Sequence, residues 1–244
     1  MSGRVALITG GAKGIGRAIG LDLAGRGWSV AICYRTSIAE AKETWDALRA
    51  QGVEALAERC DVSDPDACAA LIEKVGAKLG PVDALIHGAG PYVRTPLFEQ
   101  SAESWRGMFD NNLHPVFYLS RLVAPAMIER RWGRILTFGM ANADQMVAQP
   151  MVTAHYAAKA GVLILTRTLA KILGPHGVTV NSISPGFIAS GSASEEELAK
   201  MVKNIPAGYV GELSDAVSAA RFLLSDEARY VNGANIHLSG GWGI

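Results

Sequence analysis

The amino-acid sequence predicts an α/β fold with a seven-stranded, mostly parallel sheet and helices on both of its faces. Two observations support this prediction. Short apolar runs rich in β-branched residues alternate with longer segments of helical periodicity along the 244 residues. No Pro- or Ser-rich linker, low-complexity tract or tandem repeat interrupts the alternation. We therefore expect a single domain over residues 1–244.

The predicted strands are short enough, and apolar enough, to be buried between two layers of helices. A weaker strand is predicted at Glu54 to Ala57. The clearer six are Val5 to Ile8, Val30 to Cys33, Ala84 to Ile86, Ile135 to Phe138, Val178 to Val180 and Ile236 to Leu238.

Between these strands, apolar residues recur at spacings of three and four, which is typical of crossover helices. The least patterned segments, Ala141 to Thr153 and Ala189 to Gly211, are predicted loops, although Ser194 to Leu198 has the features of a helix start. Loops at the carboxyl edge of such a sheet are where ligands bind. The clearest predicted helices are Ile38 to Ala50, Asp66 to Lys78 and Gly161 to Leu173.

Composition narrows the classes of partner. Lys plus Arg and Asp plus Glu both number 23, so no net charge attracts nucleic acid or an anionic membrane, and a small-molecule partner is expected. No apolar run reaches a membrane-span length of about 18 residues, and no leader with a cleavage site is evident, so we expect a cytoplasmic protein. Cys33, Cys60 and Cys68 lack disulfide or zinc spacing, which predicts free thiols and no metal site.

A glycine-rich turn follows the first strand: Thr9-Gly10-Gly11-Ala12-Lys13-Gly14-Ile15-Gly16. Gly10, Gly14 and Gly16 permit the tight turn and the close backbone approach that a pyrophosphate at a helix N-terminus requires. The plain alternative is a strand-to-helix connection without a ligand. The βαβ setting favours a dinucleotide site, and with it a doubly wound Rossmann fold.

The pattern Thr-Gly-x-x-x-Gly-x-Gly resembles the short-chain dehydrogenase/reductase family, in its β-ketoacyl-carrier-protein reductase-like branch. Further segments resemble the family along nearly the whole chain. The resemblance implies that Asp61-Val62 holds the adenine, that His87-Gly88-Ala89-Gly90 is a variant of the family's Asn-Asn-Ala-Gly turn, and that Asn112 is its structural and catalytic Asn. It also implies that the strand and loop from Asn181 through Pro185-Gly186-Phe187-Ile188 hold the nicotinamide, and that Asn232 to Trp242 forms the terminal strand region.

The choice between NADP and NAD is made after the second strand, where an acidic side chain would bind the ribose of NAD and repel a 2′-phosphate. Tyr34-Arg35-Thr36-Ser37 stands there instead. The Arg35 guanidinium can bind a phosphate with two hydrogen bonds, and Lys13 adds a second positive charge. The alternative is two solvated surface cations. NADP(H) is the predicted cofactor.

The catalytic pattern of the family is altered in this sequence. The resemblance implies hydride transfer at nicotinamide C4, a Tyr that exchanges the proton, and a Lys four residues later that matches Lys159. Four residues before Lys159 stands His155, whereas Tyr156 is only three residues away. These two neighbours diverge by about 100° around a helix, so only one can face the nicotinamide. The register favours His155, and a distorted first turn would present Tyr156.

The family's Ser is also missing, because Gly139-Met140 occupies the end of its strand and neither side chain carries a hydroxyl. Asp144 in the following loop is a candidate replacement, and its alternative role is that of a solvated carboxylate. The resemblance further implies a homotetramer or homodimer built through long helices that contain Asn112 to Met127 and His155 to Leu173.

Two functions follow from these departures. In the first, an NADPH-dependent oxidoreductase transfers hydride to a carbonyl or C=N group of a small molecule. His155 donates the proton near physiological pH, because imidazole titrates near 6.5 and the Lys159 charge lowers its pKa. In the second, a catalytically impaired NADP(H)-binding protein acts as a sensor or assembly partner. The persistence of Asn112 and Lys159 favours the enzyme.

Overall fold

A computed structural model describes residues 3–191 and 194–244 of the chain. Its centre is one sheet of seven strands, and every strand pairing among the described residues is parallel. The predicted fold class is therefore confirmed. The strands are β1 (Val5–Thr9), β2 (Ser29–Tyr34), β3 (Ala55–Arg59), β4 (Ala84–His87), β5 (Gly133–Phe138), β6 (Val178–Pro185) and β7 (Asn235–Leu238).

Helices connect these strands and cover the sheet. The three clearest predicted helices are confirmed to within a few residues, except that the third begins eight residues before Gly161, at Thr153. The helices are α1 (Gly14–Ala24), α2 (Ile38–Arg49), α3 (Pro65–Leu79), α4 (Ala102–Asn112), α5 (His114–Arg130), α6 (Thr153–Leu173), α7 (Glu195–Met201) and α8 (Leu213–Leu224).

The strand order β3-β2-β1-β4-β5-β6-β7 places β1 beside both β2 and β4. The crossover direction reverses at β1, and ligands of doubly wound sheets bind at such a switch point, outside the carboxyl ends of the strands. Alternate residues of each strand enter opposite apolar layers. Leu7 packs with α5 residues such as Leu119, while Ile8 packs with α1 residues such as Ile19. Burial on both faces explains why the strands read as continuous apolar runs.

The family resemblance implies one long helix that contains Asn112 to Met127, but the chain does not form it. Helix α4 ends at Asn112, Leu113 separates it from α5, and α5 begins at His114. Pro115 explains the break, because its nitrogen cannot donate the hydrogen bond that would continue the helix. Asn112 consequently lies at a helix end rather than in a helix interior.

The predicted helix start at Ser194 is confirmed. The Ser194 hydroxyl accepts from the Glu197 N–H at 3.2 Å, and the Glu197 carboxylate accepts from the Ser194 N–H at 3.0 Å. This reciprocal pair is a capping box. The stretch from Ala189 to Gly211 therefore contains a short helix and is not entirely loop. Within residues 3–191 and 194–244, no helix combines the length and hydropathy needed to cross a membrane.

Candidate active site

A cleft of about 550 Å³ opens at the carboxyl edge of the sheet, at the switch point beside β1. The glycine-rich turn forms one wall of it. Gly10 has a φ of 64°, and a Cβ added there would lie 2.9 Å from the Ala89 backbone. A Cβ on Gly16 would lie 2.7 Å from the Gly10 carbonyl oxygen. The turn therefore packs closely against its neighbours only because these positions are glycine.

The cleft brings together most of the residues predicted to bind the cofactor. It is also lined by Cys60, Pro91 and Asn111, which were not predicted to be site residues. Cys60 directly follows β3 and Pro91 lies in the loop after β4, so a position after a strand end was the signal for these two. Asn111, in the last turn of α4, carried no such signal. The predicted residues that line the cleft are Gly10, Lys13, Gly14, Arg35, Asp61, Val62, Gly88, Ala89 and Gly90.

Six other predicted cofactor residues do not line this part of the cleft, and one of them, Lys159, is described below with the catalytic residues. Ile15 and Gly16 belong to the first turn of α1, and Pro185 ends β6. The Gly186 N–H donates to the Leu238 carbonyl at 2.9 Å, and Ile188 is buried and bridged to Gly211. The last three residues are placed by the β6–β7 end of the sheet, further along its carboxyl edge.

Two cations, Arg35 and Lys13, lie at the β2 and β3 end of the cleft, each near a carboxylate. The Arg35 guanidinium donates to Asn111 Oδ1 at 2.9 Å and lies 3.7 Å from the Asp61 carboxylate. Burial alone would raise the pKa of Asp61, but hydrogen bonds from Ser63 and the charge of Arg35 hold it below its usual value. Lys13 is 70% exposed and only 4.0 Å from Glu40. Both cations remain accessible to an anionic group in the cleft.

Three predicted catalytic residues lie beyond the lining of the cleft, and two of them contact Pro91, which borders it. The Pro91 carbonyl accepts hydrogen bonds from His155 Nδ1 and Asn112 Nδ2, both at 3.2 Å. The buried Lys159 ammonium donates to the Phe138 carbonyl at 2.9 Å. Burial lowers the pKa of Lys159 to about 8. This group combines a buried cation, an imidazole and an amide at the carboxyl edge of β4 and β5.

His155 is neutral at physiological pH. Burial, together with the charge of Lys159, lowers its pKa to about 3. A carbonyl oxygen can only accept, so the hydrogen bond to Pro91 places the proton on Nδ1 and leaves Nε2 with a free lone pair. The expected influence of Lys159 is present, but burial is the larger cause. The lowered pKa agrees in direction with the expected influence of Lys159, and the role of His155 as proton donor stays a prediction.

Comparison with known proteins places this arrangement in a family. Residues 10–243 match the family model described as enoyl-(acyl carrier protein) reductase. The chain belongs to the short-chain dehydrogenase/reductase family. It is 35% identical over 239 residues to a 3-oxoacyl-[acyl-carrier-protein] reductase of Staphylococcus aureus, an alignment that covers 97% of this chain and 96% of the relative. A reductase of the same name from Salmonella typhimurium is 37% identical over 248 residues, covering 98% and 97% of the two chains.

Solved structures of family members agree over almost the full chain. A polyketide ketoreductase of actinorhodin, solved with NADPH, has a TM-score of 0.91 at 30% identity, and the match covers 99% of this chain and 97% of that one. A short-chain alcohol dehydrogenase from Sinorhizobium meliloti, itself a provisional assignment, has a TM-score of 0.91 at 32% identity, with the same coverage. The chain is thus an oxidoreductase of the short-chain dehydrogenase/reductase family.

Against the family's pattern, Tyr156 does not occupy the position of the proton-exchanging Tyr. Its hydroxyl donates to the Asn142 carbonyl at 2.7 Å and accepts from the Val147 N–H at 3.0 Å. Its ring packs among Met140, Ala143 and Leu163. The first turn of α6 is not distorted in the way that would present Tyr156, and the side chain instead anchors the loop before α6.

We expect Tyr156→Phe to lower the free energy of unfolding by ~1–3 kcal/mol, because the buried Asn142 carbonyl and the partly buried Val147 N–H each lose a partner. Tyr230→Phe is the matched control, since Tyr230 is 99% exposed. Urea denaturation of the wild type and the two variants measures the difference. Equal stability of all three would contradict the anchoring role.

Asp144 lies at an exposed position in the loop after β5, as its alternative role implied, but its carboxylate is paired with side chains of β7. It accepts from Asn235 Nδ2 at 3.2 Å and pairs with His237 Nε2 at 2.9 Å. Partial burial raises the pKa of Asp144, but the hydrogen bonds with His237 and Asn235 hold it below its usual value. An ionised carboxylate can accept a hydrogen bond but cannot donate one, and the replacement of the missing Ser by Asp144 stays a prediction.

The structure has no space for a serine side chain at Gly139, the residue that follows β5. A side chain added at Gly139 would collide with the Ser184 hydroxyl, which donates to Asn235 Oδ1 at 2.7 Å. Met140 is half-buried against Tyr156. Gly139 and Met140 therefore place no hydroxyl of their own at the end of β5.

His87, at the first position of the family's Asn-Asn-Ala-Gly turn, is a second buried imidazole. Its Nε2 lies 3.3 Å from the Ser120 hydroxyl, and its Nδ1 is buried without a partner among the described residues. Burial, with a smaller contribution from the Lys159 charge, lowers the pKa of His87 to about 3. The imidazole contributes to the buried layer beneath Lys159 only in its neutral form.

The low pKa of His87 predicts a loss of stability in acid. Between about pH 6.5 and 3 the unfolded chain binds a proton that the folded protein excludes, so the free energy of unfolding falls as the pH falls. Each such histidine adds a slope of up to ~1.4 kcal/mol per pH unit in this window. We expect His87→Asn to reduce the slope, measured by urea denaturation at several values of pH. An unchanged slope would show that His87 protonates freely in the folded protein.

Proposed function

We propose that this chain uses NADP(H) to interconvert a carbonyl group and an alcohol on a small molecule, with C=N reduction as the related reaction. The observation that carries the proposal is the group formed by Lys159, His155 and Asn112 at the edge of a cleft with cations at its other end. The 3-oxoacyl-carrier-protein reductases among its relatives support a carbonyl substrate.

The residues of the cleft fit a phosphorylated dinucleotide. Gly10 and Gly16 leave no space for a Cβ, as expected where backbone must approach a pyrophosphate. Arg35 and Lys13 would bind the 2′-phosphate, and Asp61 and Val62 would border the adenine. At the end of the cleft near His155, Asn112 Oδ1 is a buried acceptor without a partner among the described residues, and it could accept a hydrogen bond from the cofactor. When bound, the nicotinamide supplies or accepts the hydride.

His155 would exchange the substrate proton through Nε2. In alcohol oxidation, the free lone pair on Nε2 accepts the hydroxyl proton while Pro91 holds Nδ1–H in place. In carbonyl reduction, Nε2 must first take a proton from solvent and then donate it to the oxygen. At neutral pH the neutral ring acts as a base, and its low pKa makes it a weak one. Lys159, cationic below about pH 8, would stabilise the negative charge that develops on the substrate oxygen.

This role of His155 predicts a steep pH dependence in the reducing direction. Because its pKa lies near 3, kcat/KM for a carbonyl substrate at saturating NADPH should fall about tenfold per pH unit between pH 5 and 7. His155→Tyr, whose phenol carries its own proton, should flatten the profile in this window. A flat profile in the wild-type protein would assign the proton to another group.

The experiment that tests the function measures NADPH consumption against ketones, 3-oxoacyl thioesters, quinones and pterins, beside a calorimetric titration with NADPH. His155→Phe should abolish an observed reduction, whereas Tyr156→Phe should retain it. Tyr92→Phe is a useful control, because the Tyr92 ring contacts His155 edge to face at 5.1 Å. If the His155→Phe protein reduces the substrate as fast as the wild type, the proposed proton transfer is wrong.

Binding without turnover favours a second candidate, an NADP(H)-binding protein that acts as a sensor or assembly partner. Met140 in place of a hydroxyl and the proton-free Nε2 of His155 support it. In that case the titration would give a normal affinity for NADPH while every member of the substrate panel remained unreduced. Loss of NADPH affinity as well would remove both candidates.

Self-association is a further part of the proposal. Apolar side chains are exposed on adjacent helices of the described chain, including Phe117 on α5 and Ile164 and Ile172 on α6. Val162, on the same helix as the latter two, is buried within the subunit. Light scattering should therefore give a homodimer or homotetramer. The three free thiols support a reducing compartment such as the cytoplasm.

A further inference from the structure

The three cysteines, which are far apart in sequence, converge beside the cationic end of the cleft. Cys33 lies on β2, Cys60 directly follows β3, and Cys68 is on α3. All three are free and buried in the same apolar cluster. The Cys60 sulfur lies 3.5 Å from the Ala67 carbonyl oxygen, and the Cys68 sulfur lies 3.4 Å from that of Val62. The loop between β3 and α3 thus holds two of the thiols.

Cys60 is the most accessible thiol of the three, because the residue is 7% exposed whereas Cys33 is 1% and Cys68 0% exposed. Cys33 and Cys60 line the cleft, whereas Cys68 does not. Interactions with the Cys33 and Cys68 side chains lower the pKa of Cys60, and the same interactions with Cys60, followed by burial, raise the pKa of the other two. The thiolate is the nucleophilic form of cysteine. Cys60 is therefore the thiol of the cluster that is suited to react.

We propose that Cys60 is a modification site that reacts with small disulfides bearing carboxylate groups, and that the resulting mixed disulfide blocks the adenosine end of the cofactor cleft. Arg35 and Lys13 border the same cleft and would attract such anions against the opposing charge of Asp61, which lies 3.7 Å from Arg35. Cys60 loses its proton to solvent, and its sulfur then attacks one sulfur of the reagent. A new S–S bond forms, the reagent's S–S bond breaks, and the departing thiolate keeps the electron pair.

The first experiment uses 5,5′-dithiobis(2-nitrobenzoate), a disulfide with two carboxylates, on the folded full-length protein. We expect one nitrothiobenzoate released per chain in the fast phase, and peptide mass spectrometry should place the adduct on Cys60. Cys60→Ser should remove this phase. Cys68→Ser, a matched change in the same cluster, should retain it. A Cys60→Ser protein that reacts as fast as the wild type would overturn the proposal, as would an adduct found on Cys33 or Cys68.

Two further measurements test the location and the charge preference. Saturating NADPH should slow the reaction at least tenfold, and the modified protein should bind NADPH at least tenfold more weakly until dithiothreitol restores it. Arg35→Ala should slow the anionic reagent severalfold while leaving the neutral 4,4′-dithiodipyridine unchanged. No protection by NADPH, or equal slowing of both reagents, would contradict the proposed site. These readouts need no substrate turnover, so they fail or succeed independently of the proposed reaction.

Discussion

Replacing Lys159 with methionine is expected to lower kcat/KM for carbonyl reduction by ~100-fold or more, the loss typical when one preorganised donor to a developing negative charge is removed. Lys159 is buried beside His155, and its charge contributes to the lowered pKa values of His155 and His87. Methionine keeps the apolar volume of the side chain but supplies no charge. The activity loss should therefore come from electrostatics rather than from a change in packing.

Stability separates these two explanations. Lys159→Met removes the cost of burying an ammonium group but leaves the Phe138 carbonyl without its donor at 2.9 Å, so the two effects offset each other to within ~1–2 kcal/mol. Lys171→Met, an exposed change on the same helix, is the control and should alter neither property. Steady-state kinetics and urea denaturation measure both quantities. Retained activity in the Lys159→Met protein would remove this residue from the reaction.

Gly10→Ala is expected to weaken NADPH binding by ~100-fold or more. A residue with a Cβ pays ~1–2 kcal/mol for the left-handed conformation at φ 64°. Here the added atom would also lie 2.9 Å from the Ala89 and Gly88 backbone, so the turn must move away from the wall of the cleft. Movement of the turn displaces the N–H groups that would face the pyrophosphate.

Gly27→Ala is a matched control for this prediction. Gly27 also has a positive φ, of 81°, but nothing lies within 4 Å of a Cβ added there. Both variants should lose stability from the backbone conformation, and only Gly10→Ala should lose cofactor affinity. Isothermal titration calorimetry with NADPH, together with thermal unfolding, distinguishes the two effects. If both variants bind NADPH equally well, the glycine-rich turn does not form the cofactor site.

The sequence was sufficient to predict the elements whose patterns are local. The apolar runs gave all seven strands, and the glycine-rich turn gave the wall of the cleft. His155 and Lys159 were expected to lie near each other, and both are on α6, because a separation of four residues on a helix is a local property. The break at Leu113 was equally local, since Pro115 was visible in the sequence.

Properties that depend on tertiary surroundings could not be read from the sequence. The pKa of His155 depends on how deeply α6 is buried, and the role of Tyr156 depends on a loop that folds back over it. Asp144 is occupied by partners on β7, about ninety positions away in the chain. The thiol cluster likewise forms only when β2 and β3 pair and α3 packs beside them.

The segment that carries Pro91 is fastened to the polypeptide just before α6. The Thr95 N–H donates to the Met151 carbonyl at 2.8 Å, and the Leu97 N–H donates to the Pro150 carbonyl at 3.0 Å. The Pro91 carbonyl also accepts hydrogen bonds from His155 and Asn112. This segment and the beginning of α6 are therefore linked by several hydrogen bonds. A displacement of either one on substrate entry would carry the imidazole and the amide together, preserving their mutual alignment.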